Sequence, residues 1–304
     1  MHVVEVSEPG GPEALEWVER PDPVAGPGQA VVKISAANVN PTDIGARSGR
    51  FSRQPVAPPY VLGWDFAGEV SELGDGVGEV AVGERVVGMI HWYEEKGSAG
   101  AYAEAIAAET SWLVPLPDGL DAVAAATIPL NALTADQGLA LLDLAPGSTL
   151  LVTGASGGVG TFAVQLAAQA GHRVIAQAGH DDEDWPASIG ASESLPRDAD
   201  LGQIGPVDAL FDAVPVGEPA ALAVRDGGAI VTVRGSDTHD PGRGIRKQIF
   251  LVHRDRARLR ELVGAVAAGR LRTRVARTVP LREAAEAHRL VEAGGLHGKV
   301  VLVP

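Results

Sequence analysis

The stretch "LLVTGASGGVG", residues 150–160, decides the fold of this chain. Its apolar run stops at a glycine-rich turn, and the "TFAVQLAAQAG" that follows has the apolar spacing of a helix. A strand that turns through glycines into a helix is typical of a dinucleotide-binding turn, because the backbone approaches the pyrophosphate closely and the helix N-terminus attracts the anion. Read as A-x-G-x-x-G, the stretch predicts such a turn; the alternative is a tight turn that binds nothing. The predicted cofactor-binding residues are Gly154, Ala155, Ser156, Gly157, Gly158, Val159 and Gly160.

Strands and helices alternate on both sides of this turn. Three short apolar runs, "HRVIAQA", "DALFDAV" and "GAIVTV", predict further strands, and the spacing predicts helices over residues 121–142 and 160–171. Strands that alternate with helices indicate a doubly wound parallel sheet, the Rossmann arrangement.

The first part of the chain has a different pattern. Short strands broken by glycine and proline, such as "HVVEV", "AVVKISAANV", "FAGEVSELG" and "ERVVGMI", favour a partly open antiparallel barrel. Two helices over 254–268 and 281–293 follow the parallel sheet, and the last strand, "KVVLVP", is expected to return to the first domain. The sequence thus predicts an α/β protein with one domain inserted into another: residues 1–118 plus 254–304, and residues 119–253.

Composition narrows the classes of partner. The 304 residues are 45% hydrophobic and carry 39 acidic against 25 basic side chains, a formal charge of −14, which argues against nucleic acid or an anionic membrane. The absence of cysteine excludes disulfides, thiolate metal sites and a cysteine nucleophile. The sequence has no leader-like start and no apolar stretch of bilayer length, so a cytoplasmic protein is expected. The basic segment 243–260 either faces an anion or is the solvated side of a helix.

A rival pattern shares the same letters. "TGASGGVG" also satisfies T-G-x-x-x-G-x-G, the turn of short-chain dehydrogenases, whose chemistry needs a tyrosine four residues before a lysine. Here Tyr93 is followed by Lys96, one residue too soon, and Tyr60 and Tyr102 have no lysine closely after them. That family also places the turn at the very start of the chain, so we reject this interpretation.

The end of the second predicted strand bears on the choice of cofactor. An acid there binds the ribose 2′-hydroxyl of NAD and repels the phosphate of NADP, yet "HRVIAQAGH" ends without a carboxylate. Asp181 and Asp182 follow slightly later, in a loop, and the lysine or arginine usual in this loop is also missing. NADPH is therefore the predicted cofactor, with NADH as the alternative. Candidates near its ribose and 2′-phosphate are Gly179, His180, Arg197, Arg234 and Arg243.

Segments spread along the whole chain resemble one family. They are "ANVNPTDIGARSG", "PYVLGWDFAGEV", "AAATIPLNALTADQGL", "LLVTGASGGVG" and "EAAEAHRLVEAGGLHGKVVLVP". In this order they are similar to the zinc-independent, zeta-crystallin-like quinone oxidoreductases of the medium-chain dehydrogenases/reductases. The resemblance implies a GroES-like partly open β-barrel catalytic domain with an inserted Rossmann domain, commonly assembled as a homodimer.

The resemblance also bears on metal chemistry. Zinc-dependent members of the superfamily place metal ligands where this chain has Asn40, Trp64 and Leu130, none of which is a plausible zinc ligand. No metal site is therefore predicted. What the family's metal-free members do is pass a hydride from the cofactor to an acceptor that is already electrophilic, a small-molecule quinone or enone.

The same resemblance places further candidate residues by position. Asn40 and Tyr60 are candidates for the substrate pocket, against the alternatives of a turn asparagine and a packed aromatic ring. Thr134 matches a threonine near the cofactor, and Phe51 stands where relatives often carry a tyrosine near the nicotinamide. The segment "VTVRGSD" matches one that passes the nicotinamide edge. Its expected cofactor contacts are Arg234, Gly235 and Ser236.

These observations order three hypotheses for the activity. The first is metal-free, NADPH-dependent reduction of a quinone. The second is reduction of the double bond of a 2-enone or an enoyl thioester by the same hydride step. A thioester of CoA or of a carrier protein requires basic residues at the entrance of the substrate pocket, and only residues 243–260 supply them. The third, of another class, is binding of NADPH without turnover, as a sensor or structural protein.

Overall fold

The computed structural model describes residues 1–50, 56–233 and 242–304. Its strands are β1 (His2–Val6), β2 (Leu15–Glu19), β3 (Gln29–Asn38), β4 (Tyr60–Val61), β5 (Asp65–Leu73), β6 (Arg85–Met89), β7 (Ala105–Glu109), β8 (Leu113–Pro115), β9 (Thr149–Thr153), β10 (Arg173–Gln177), β11 (Glu193–Leu195), β12 (Val207–Asp212), β13 (Val224–Thr232), β14 (Arg246–Ile249), β15 (Val275–Pro280) and β16 (Lys299–Val303). Its α-helices are α1 (Pro41–Arg47), α2 (Ala122–Ala126), α3 (Pro129–Leu142), α4 (Gly158–Gln169), α5 (Asp184–Ser188), α6 (Glu218–Leu222), α7 (Arg256–Ala267) and α8 (Ala284–Ala293). Within these described ranges, no helix combines the length and the apolar character needed to cross a bilayer.

Antiparallel pairing dominates the first of two compact units, residues 1–130, 254–270 and 274–304. One sheet has the order β15-β16-β3-β5-β6-β8, with β7 paired to β3 beside this path, and a second sheet has the order β2-β1-β4. Val32, Phe66 and Val87, from three neighbouring strands, are fully buried in its core. Among the described strands of this unit, only β15 and β16 pair in parallel, so the antiparallel arrangement predicted for this part of the chain is confirmed.

The strand written "KVVLVP" lies inside the sheet of this first unit. β16 pairs antiparallel with β3, where Val301 stands opposite Asn38, and parallel with β15. Its side chains from Val300 to Leu302 are buried. This is the return of the chain expected from the sequence, and it completes a sheet whose other strands mostly precede residue 116.

Parallel pairing defines the second unit, residues 131–253 and 271–273. Its strands have the order β11-β10-β9-β12-β13-β14, which in chain order is the 3-2-1-4-5-6 of a doubly wound sheet. Leu151 of β9 stands opposite Ile175 on one side and Leu210 on the other, and all three belong to one buried apolar core. The order reverses at β9, so a ligand is expected beyond its carboxyl end, where the glycine turn lies. The predicted parallel sheet is confirmed.

The helix predicted over residues 121–142 is two helices. Pro129 lacks a backbone N–H and restricts the residue before it, so the chain breaks at residues 127–128 and α3 begins at Pro129. Asp121 caps α2 by accepting from two backbone N–H groups of its first turn, at 3.0 and 3.1 Å. α2 packs on β3 and β5, so residues 119–130 lie in the first unit. The helix predicted from residue 160 begins at Gly158, after an extended Gly157.

Candidate active site and nucleotide-binding turn

The turn between β9 and α4 closes tightly on itself. β9 ends at Thr153, Gly154 has a φ of 62°, and α4 begins at Gly158. A Cβ atom added to Gly160 would collide with the carbonyl oxygen of Gly154, and one added to Gly158 would collide with the side-chain amide of Asn131. The left-handed φ explains the glycine at position 154, and the close approach of the Gly154 carbonyl explains the glycine at position 160.

The first turn of α4 presents groups that bind an anion. This helix has 12 residues, and the N–H groups of Gly158, Val159 and Gly160 have no carbonyl partner within it. Its N-cap, Gly157, has no side chain to cap these N–H groups, and a Cβ atom added there would lie 3.2 Å from the carbonyl oxygen of Gly154. The turn therefore fits the pyrophosphate of a dinucleotide, which these four residues would hold. The contacts themselves stay a prediction.

The turn is hydrogen-bonded to the end of β10, the second strand of the doubly wound order. The N–H of Ala155 donates to the carbonyl of Gln177 at 3.0 Å, and the hydroxyl of Ser156 accepts from the N–H of Gly179 at 2.8 Å. β10 ends at the buried Gln177, and Gly179 and His180 follow outside the strand. The residues predicted on the ribose side thus lie next to the glycine turn, at a strand end that carries no carboxylate.

Basic side chains differ in their distance from this strand end. Arg197 follows β11, the neighbour of β10, and its carbonyl accepts from Nε2 of Gln177 at 2.9 Å. Its exposed side chain forms no ion pair within the part of the chain that the structure describes. The side chain of His180, three residues after the end of β10, is 78% exposed and lies 3.2 Å from the carboxylate of Asp181. Arg243 instead donates to the carbonyl of Val224, at the amino end of β13, so it lies at the opposite edge of the sheet.

The start of α3 lies beside the start of α4 in the second unit. The side chain of Asn131 faces Gly158, and Thr134, three residues further along, lies on the same side of α3 and is 6% exposed. Asn131 interrupts the apolar run "IPLNAL", residues 128–133, and this is the signal that marks it in the sequence. The cofactor contact of Thr134 stays a prediction. Phe51, Arg234, Gly235 and Ser236 lie outside the described residues.

Asn40 lies within five buried polar side chains of the first unit, here called the buried polar cluster: Asn38, Asn40, Asp43, Asp65 and Lys299. Nδ2 of Asn40 donates to Asp65 at 2.8 Å, and its backbone N–H donates to Asp43 at 2.8 Å. Oδ1 of Asn40 accepts from Nζ of Lys299 at 3.0 Å and from Asn38 at 2.9 Å. Both polar atoms of this side chain are therefore engaged inside the protein, and its role as a substrate-pocket residue stays a prediction.

Burial raises the pKa of both carboxyl groups in the buried polar cluster. The pKa of Asp43 rises to about 7, because burial and the charge of Asp65 outweigh backbone hydrogen bonds and the attraction of Lys299. The pKa of Asp65 rises to about 6, because burial outweighs the hydrogen bonds that this carboxylate accepts. The ammonium of Lys299 lowers both pKa values, so it is the charge that favours ionisation at this site.

A directional chain of hydrogen bonds joins this cluster to α8. Burial and the Arg47 guanidinium lower the pKa of His288 to about 3, so its imidazole is neutral. Arg47 donates to Nδ1 of His288 at 3.3 Å, so Nε2–H donates to the hydroxyl oxygen of Tyr102 at 3.0 Å. Tyr102 in turn donates to Asp43 at 3.3 Å, and Arg47 pairs with Glu292 at 2.6 Å. These bonds fix α1 and α8 around the buried carboxyls.

A second group of the first unit, here called the aromatic cluster, consists of Tyr60, Trp64, His91, Trp92 and Tyr93, all buried. Tyr60 stacks on Trp92 with ring centroids 5.4 Å apart, and its hydroxyl donates to a backbone carbonyl of α1 at 2.8 Å. Trp64 meets His91 edge-on at 5.2 Å. The pocket role of Tyr60 stays a prediction, and no sequence motif marks His91.

The three positions matched to metal ligands lie together in the first unit. The side chain of Asn40 and the backbone N–H of Leu130 both donate to Asp65, each at 2.8 Å, and Trp64 directly precedes Asp65. The fully buried indole of Trp64 fills space at this point. Across the described ranges, no group of three or more histidine, cysteine or acidic residues is placed to hold a metal ion.

Comparison with known proteins bears on both units. Residues 26–118 match the alcohol dehydrogenase GroES-like domain, and residues 190–302 match the zinc-binding dehydrogenase family. The chain is 29% identical to the chloroplastic NADPH-dependent alkenal/one oxidoreductase of Arabidopsis thaliana, over 91% of this chain and 72% of that protein. It is 30% identical to a quinone oxidoreductase of Lama guanicoe, over 100% of this chain and 97% of that one.

A solved structure is similar over the same length. The quinone oxidoreductase from Coxiella burnetii has a TM-score of 0.91 and 30% sequence identity, over 100% of this chain and 99% of that chain. The match includes the antiparallel sheets of the first unit and the parallel sheet of the second. The expected combination of a GroES-like domain with a Rossmann-like sheet is thereby confirmed.

Proposed function

Because this chain belongs to the quinone oxidoreductase-like family of medium-chain dehydrogenases/reductases, we propose that it reduces a small quinone with NADPH. The chain is an oxidoreductase of a family that binds pyridine nucleotides. The observation that carries the proposal is a complete glycine turn together with Asn40, Trp64 and Leu130, none of them a zinc ligand, at the matched metal positions. An acceptor that is already electrophilic takes a hydride in such a site.

The protein's part in this reaction is to bind and to orient. NADPH, when bound, supplies a hydride, and the quinone becomes a hydroquinone after it also takes up a proton. The backbone N–H groups at the start of α4 would hold the pyrophosphate, and Arg197 would hold the 2′-phosphate. A fixed position for the cofactor replaces a bimolecular encounter by a reaction between aligned partners, which is where the rate enhancement arises.

Reduction of a conjugated enone is a second candidate, favoured by the similarity to the alkenal/one oxidoreductase. An enoyl thioester on an acidic carrier has less support, because the arginines around the start of α7 are paired with acidic side chains inside the first unit. These pairs are Arg254–Glu94, Arg256–Glu79 and Arg258–Glu261.

The proposal is tested by following the absorbance of NADPH, with NADH in parallel, while the purified protein meets a small ortho-quinone and then a simple 2-enone. We expect quinone-dependent loss of NADPH that is slower with NADH. Reduction of the enone but not of the quinone would identify an enone as the acceptor. Tight NADPH binding without turnover would favour a sensor or structural role. No binding would refute the interpretation of the glycine turn. Light scattering on the same sample tests the proposed homodimer; the proposed cytoplasmic location stays a prediction.

The preference for NADPH is expected to depend on Arg197. Its backbone carbonyl lies next to the end of β10, and its exposed guanidinium has no acidic partner among the described residues, so it is available for the 2′-phosphate. In Arg197→Glu, the lost charge-assisted bond should raise the KM for NADPH about 10- to 100-fold and leave the KM for NADH nearly unchanged. Initial rates at varied cofactor concentration measure both values.

Arg173→Glu is the matched control for this substitution. Arg173 is at the amino end of β10, away from the glycine turn, and its side chain forms an exposed pair with Glu193 at 2.9 Å. The same charge change there should leave both KM values within about twofold of the wild type. Equal effects of the two substitutions would point to net charge alone and would contradict a direct role for Arg197.

A further inference from the structure

A tryptophan of α5 is hydrogen-bonded to the start of α4 within the second unit. Nε1–H of Trp185 donates to the hydroxyl oxygen of Thr161 at 3.1 Å, and this hydroxyl donates to the carbonyl of Ala155 at 3.2 Å. An indole N–H can only donate and a carbonyl can only accept, so the direction of both bonds is fixed. The two bonds form a chain that runs from the indole through the hydroxyl to the glycine turn.

The hydroxyl of Thr161 bonds the turn rather than its own helix. A threonine inside a helix commonly bonds the carbonyl three or four residues before it. Here the acceptor is six residues earlier, in the turn that precedes α4, and Thr161 is 3% exposed. The N–H of Ala155 donates to the carbonyl of Gln177 at 3.0 Å. Ala155 is thus held through its N–H by the end of β10 and through its carbonyl by α4.

A cation holds the indole in place beside α4. The guanidinium of Arg272 lies 4.6 Å from the ring centroid of Trp185, and residues 271–273 belong to this same unit. The backbone N–H and carbonyl of Arg272 bond the side-chain amide of Gln165 on α4, at 2.7 and 2.9 Å. A cation over an aromatic face adds attraction to the packing of the ring. The position of Trp185 is therefore set by α4 and by a segment that is itself bonded to α4.

Trp185 also fixes the loop on the predicted ribose side of the site. Residues 178–183 join β10 to α5 and include Gly179 and His180, which the sequence predicts near the ribose. Near its start the loop is tied to the glycine turn, because the N–H of Gly179 donates to the hydroxyl of Ser156 at 2.8 Å. Directly after its end the indole of Trp185 ties it to α4. The loop is thus anchored at both ends to the elements that would bind the dinucleotide.

We propose that Trp185, acting through Thr161, is a positioning residue for the dinucleotide; the inference rests on the proposed function and adds to it a determinant of cofactor affinity. The pair holds the carbonyl of Ala155 and with it the path of the glycine turn, so the N–H groups at the start of α4 keep their places before the cofactor arrives. A site that is already ordered loses less conformational entropy on binding. Loss of the pair should therefore weaken cofactor binding and leave the hydride step unchanged.

Trp185→Phe keeps an aromatic ring and removes the N–H donor. We expect the dissociation constants of NADPH and NADH to rise by the same factor, about 5- to 10-fold, because the pyrophosphate is common to both cofactors. At saturating cofactor, kcat should change less than about twofold. Isothermal titration and initial rates measure these quantities.

Trp112→Phe is the matched control for this substitution. Trp112 lies in the first unit, is half-buried like Trp185, and has the guanidinium of Arg254 4.6 Å from its ring centroid. It should leave both dissociation constants unchanged. An equal rise in the two variants, or a loss in Trp185→Phe confined to kcat or to thermal stability, overturns the inference and leaves the proposed function standing. A wild type that binds neither cofactor refutes the proposed function instead.

Substitutions of Thr161 test whether the effect passes through its hydroxyl. Thr161→Val keeps the shape of the side chain and should weaken NADPH binding about 10-fold or more, because the indole N–H and the carbonyl of Ala155 both lose their partner. Thr161→Ser keeps the hydroxyl and should stay within about twofold of the wild type. Adding Trp185→Phe to Thr161→Val should weaken binding no further. Additive losses would overturn the route through Thr161.

Hydrogen exchange at the indole of the wild type gives a readout that needs neither turnover nor a variant that folds. Coupling between two sites is reciprocal, so NADPH must favour the hydrogen-bonded state of Trp185 if that state favours NADPH. Exchange of its Nε1–H, followed by ¹H–¹⁵N NMR, should slow about 5- to 10-fold when NADPH is added, and that of Trp112 should not change. An unchanged exchange rate at Trp185 in a protein that binds NADPH overturns the positioning role.

Discussion

Replacing Lys299 by methionine is expected to lower the free energy of unfolding by about 3–5 kcal/mol, because it leaves buried carboxyl groups without their cation. Lys299 is 8% exposed, and Nζ donates at 3.0 Å to Asn40, the residue that donates to both Asp43 and Asp65. Methionine keeps most of the side-chain length and removes the charge. Urea unfolding followed by tryptophan fluorescence measures the loss.

The loss in free energy of unfolding caused by Lys299→Met should grow as the pH rises. Lys299 lowers the pKa of Asp43 and of Asp65, so its removal raises both further above the value of 3.8 in an unfolded chain. A carboxyl whose pKa is raised by folding contributes stability below its unfolded pKa and loses that contribution as pH rises through its folded pKa, about 7 for Asp43 and about 6 for Asp65. The gap to the wild type therefore widens between about pH 5 and about pH 8.

Two further variants show whether the effect arises from buried charge. In Lys299→Met/Asp65→Asn one carboxylate is removed with the cation, so the double variant should recover part of the loss. Lys33→Met removes an exposed ammonium from β3 and should change stability by less than about 0.5 kcal/mol. A Lys299→Met protein as stable as the wild type at neutral pH would show that the carboxyls are neutral without Lys299.

Replacing Gly160 by alanine is expected to weaken NADPH binding about 100-fold, which corresponds to about 2.7 kcal/mol. The added methyl group would collide with the carbonyl oxygen of Gly154 and lie 2.9 Å from Cα of Ala155. Both are backbone atoms, so the turn itself must open and the N–H groups of α4 must move away from the pyrophosphate. Isothermal titration with NADPH measures the dissociation constant.

Gly264→Ala is the matched control for this substitution. Gly264 lies inside α7, and an added Cβ there would meet no atom within 4 Å. The same change should leave NADPH binding intact and stabilise the helix by up to about 1 kcal/mol. Unchanged NADPH affinity in Gly160→Ala would mean that the turn tolerates the displacement or that the cofactor binds elsewhere.

The fold was largely readable from local patterns. Alternating strands and helices around "GASGGVG" predict the parallel sheet, and the short strands of the first 115 residues predict antiparallel pairing. The one long helix that failed, over residues 121–142, failed at Pro129, where proline chemistry outweighs apolar spacing. Local rules suffice wherever the decisive atoms are close in sequence.

The candidate site depends on pairs that are far apart in sequence. Lys299 reaches Asn40 across 259 residues, and His288 reaches Arg47 across 241. A lysine that opens an apolar strand and a histidine on an amphipathic helix each look like solvated side chains until the sheet brings them to a carboxylate or a guanidinium. His91 and Glu94 are close in sequence, but Arg254, which pairs with Glu94, and Trp64, whose ring meets that of His91, are distant from them.

The place of β16 sets the order in which this protein can form during synthesis. The first unit begins to leave the ribosome before any of the parallel sheet, yet β3 lacks one of its neighbours until residues 131–253 have been made. Lys299 arrives on that same late strand, so Asp43 and Asp65 are without their cation for most of translation. The sheet that emerges first therefore stays incomplete until β16 has been made, and the edge of β3 that β16 covers is what a nascent-chain chaperone would have to shield.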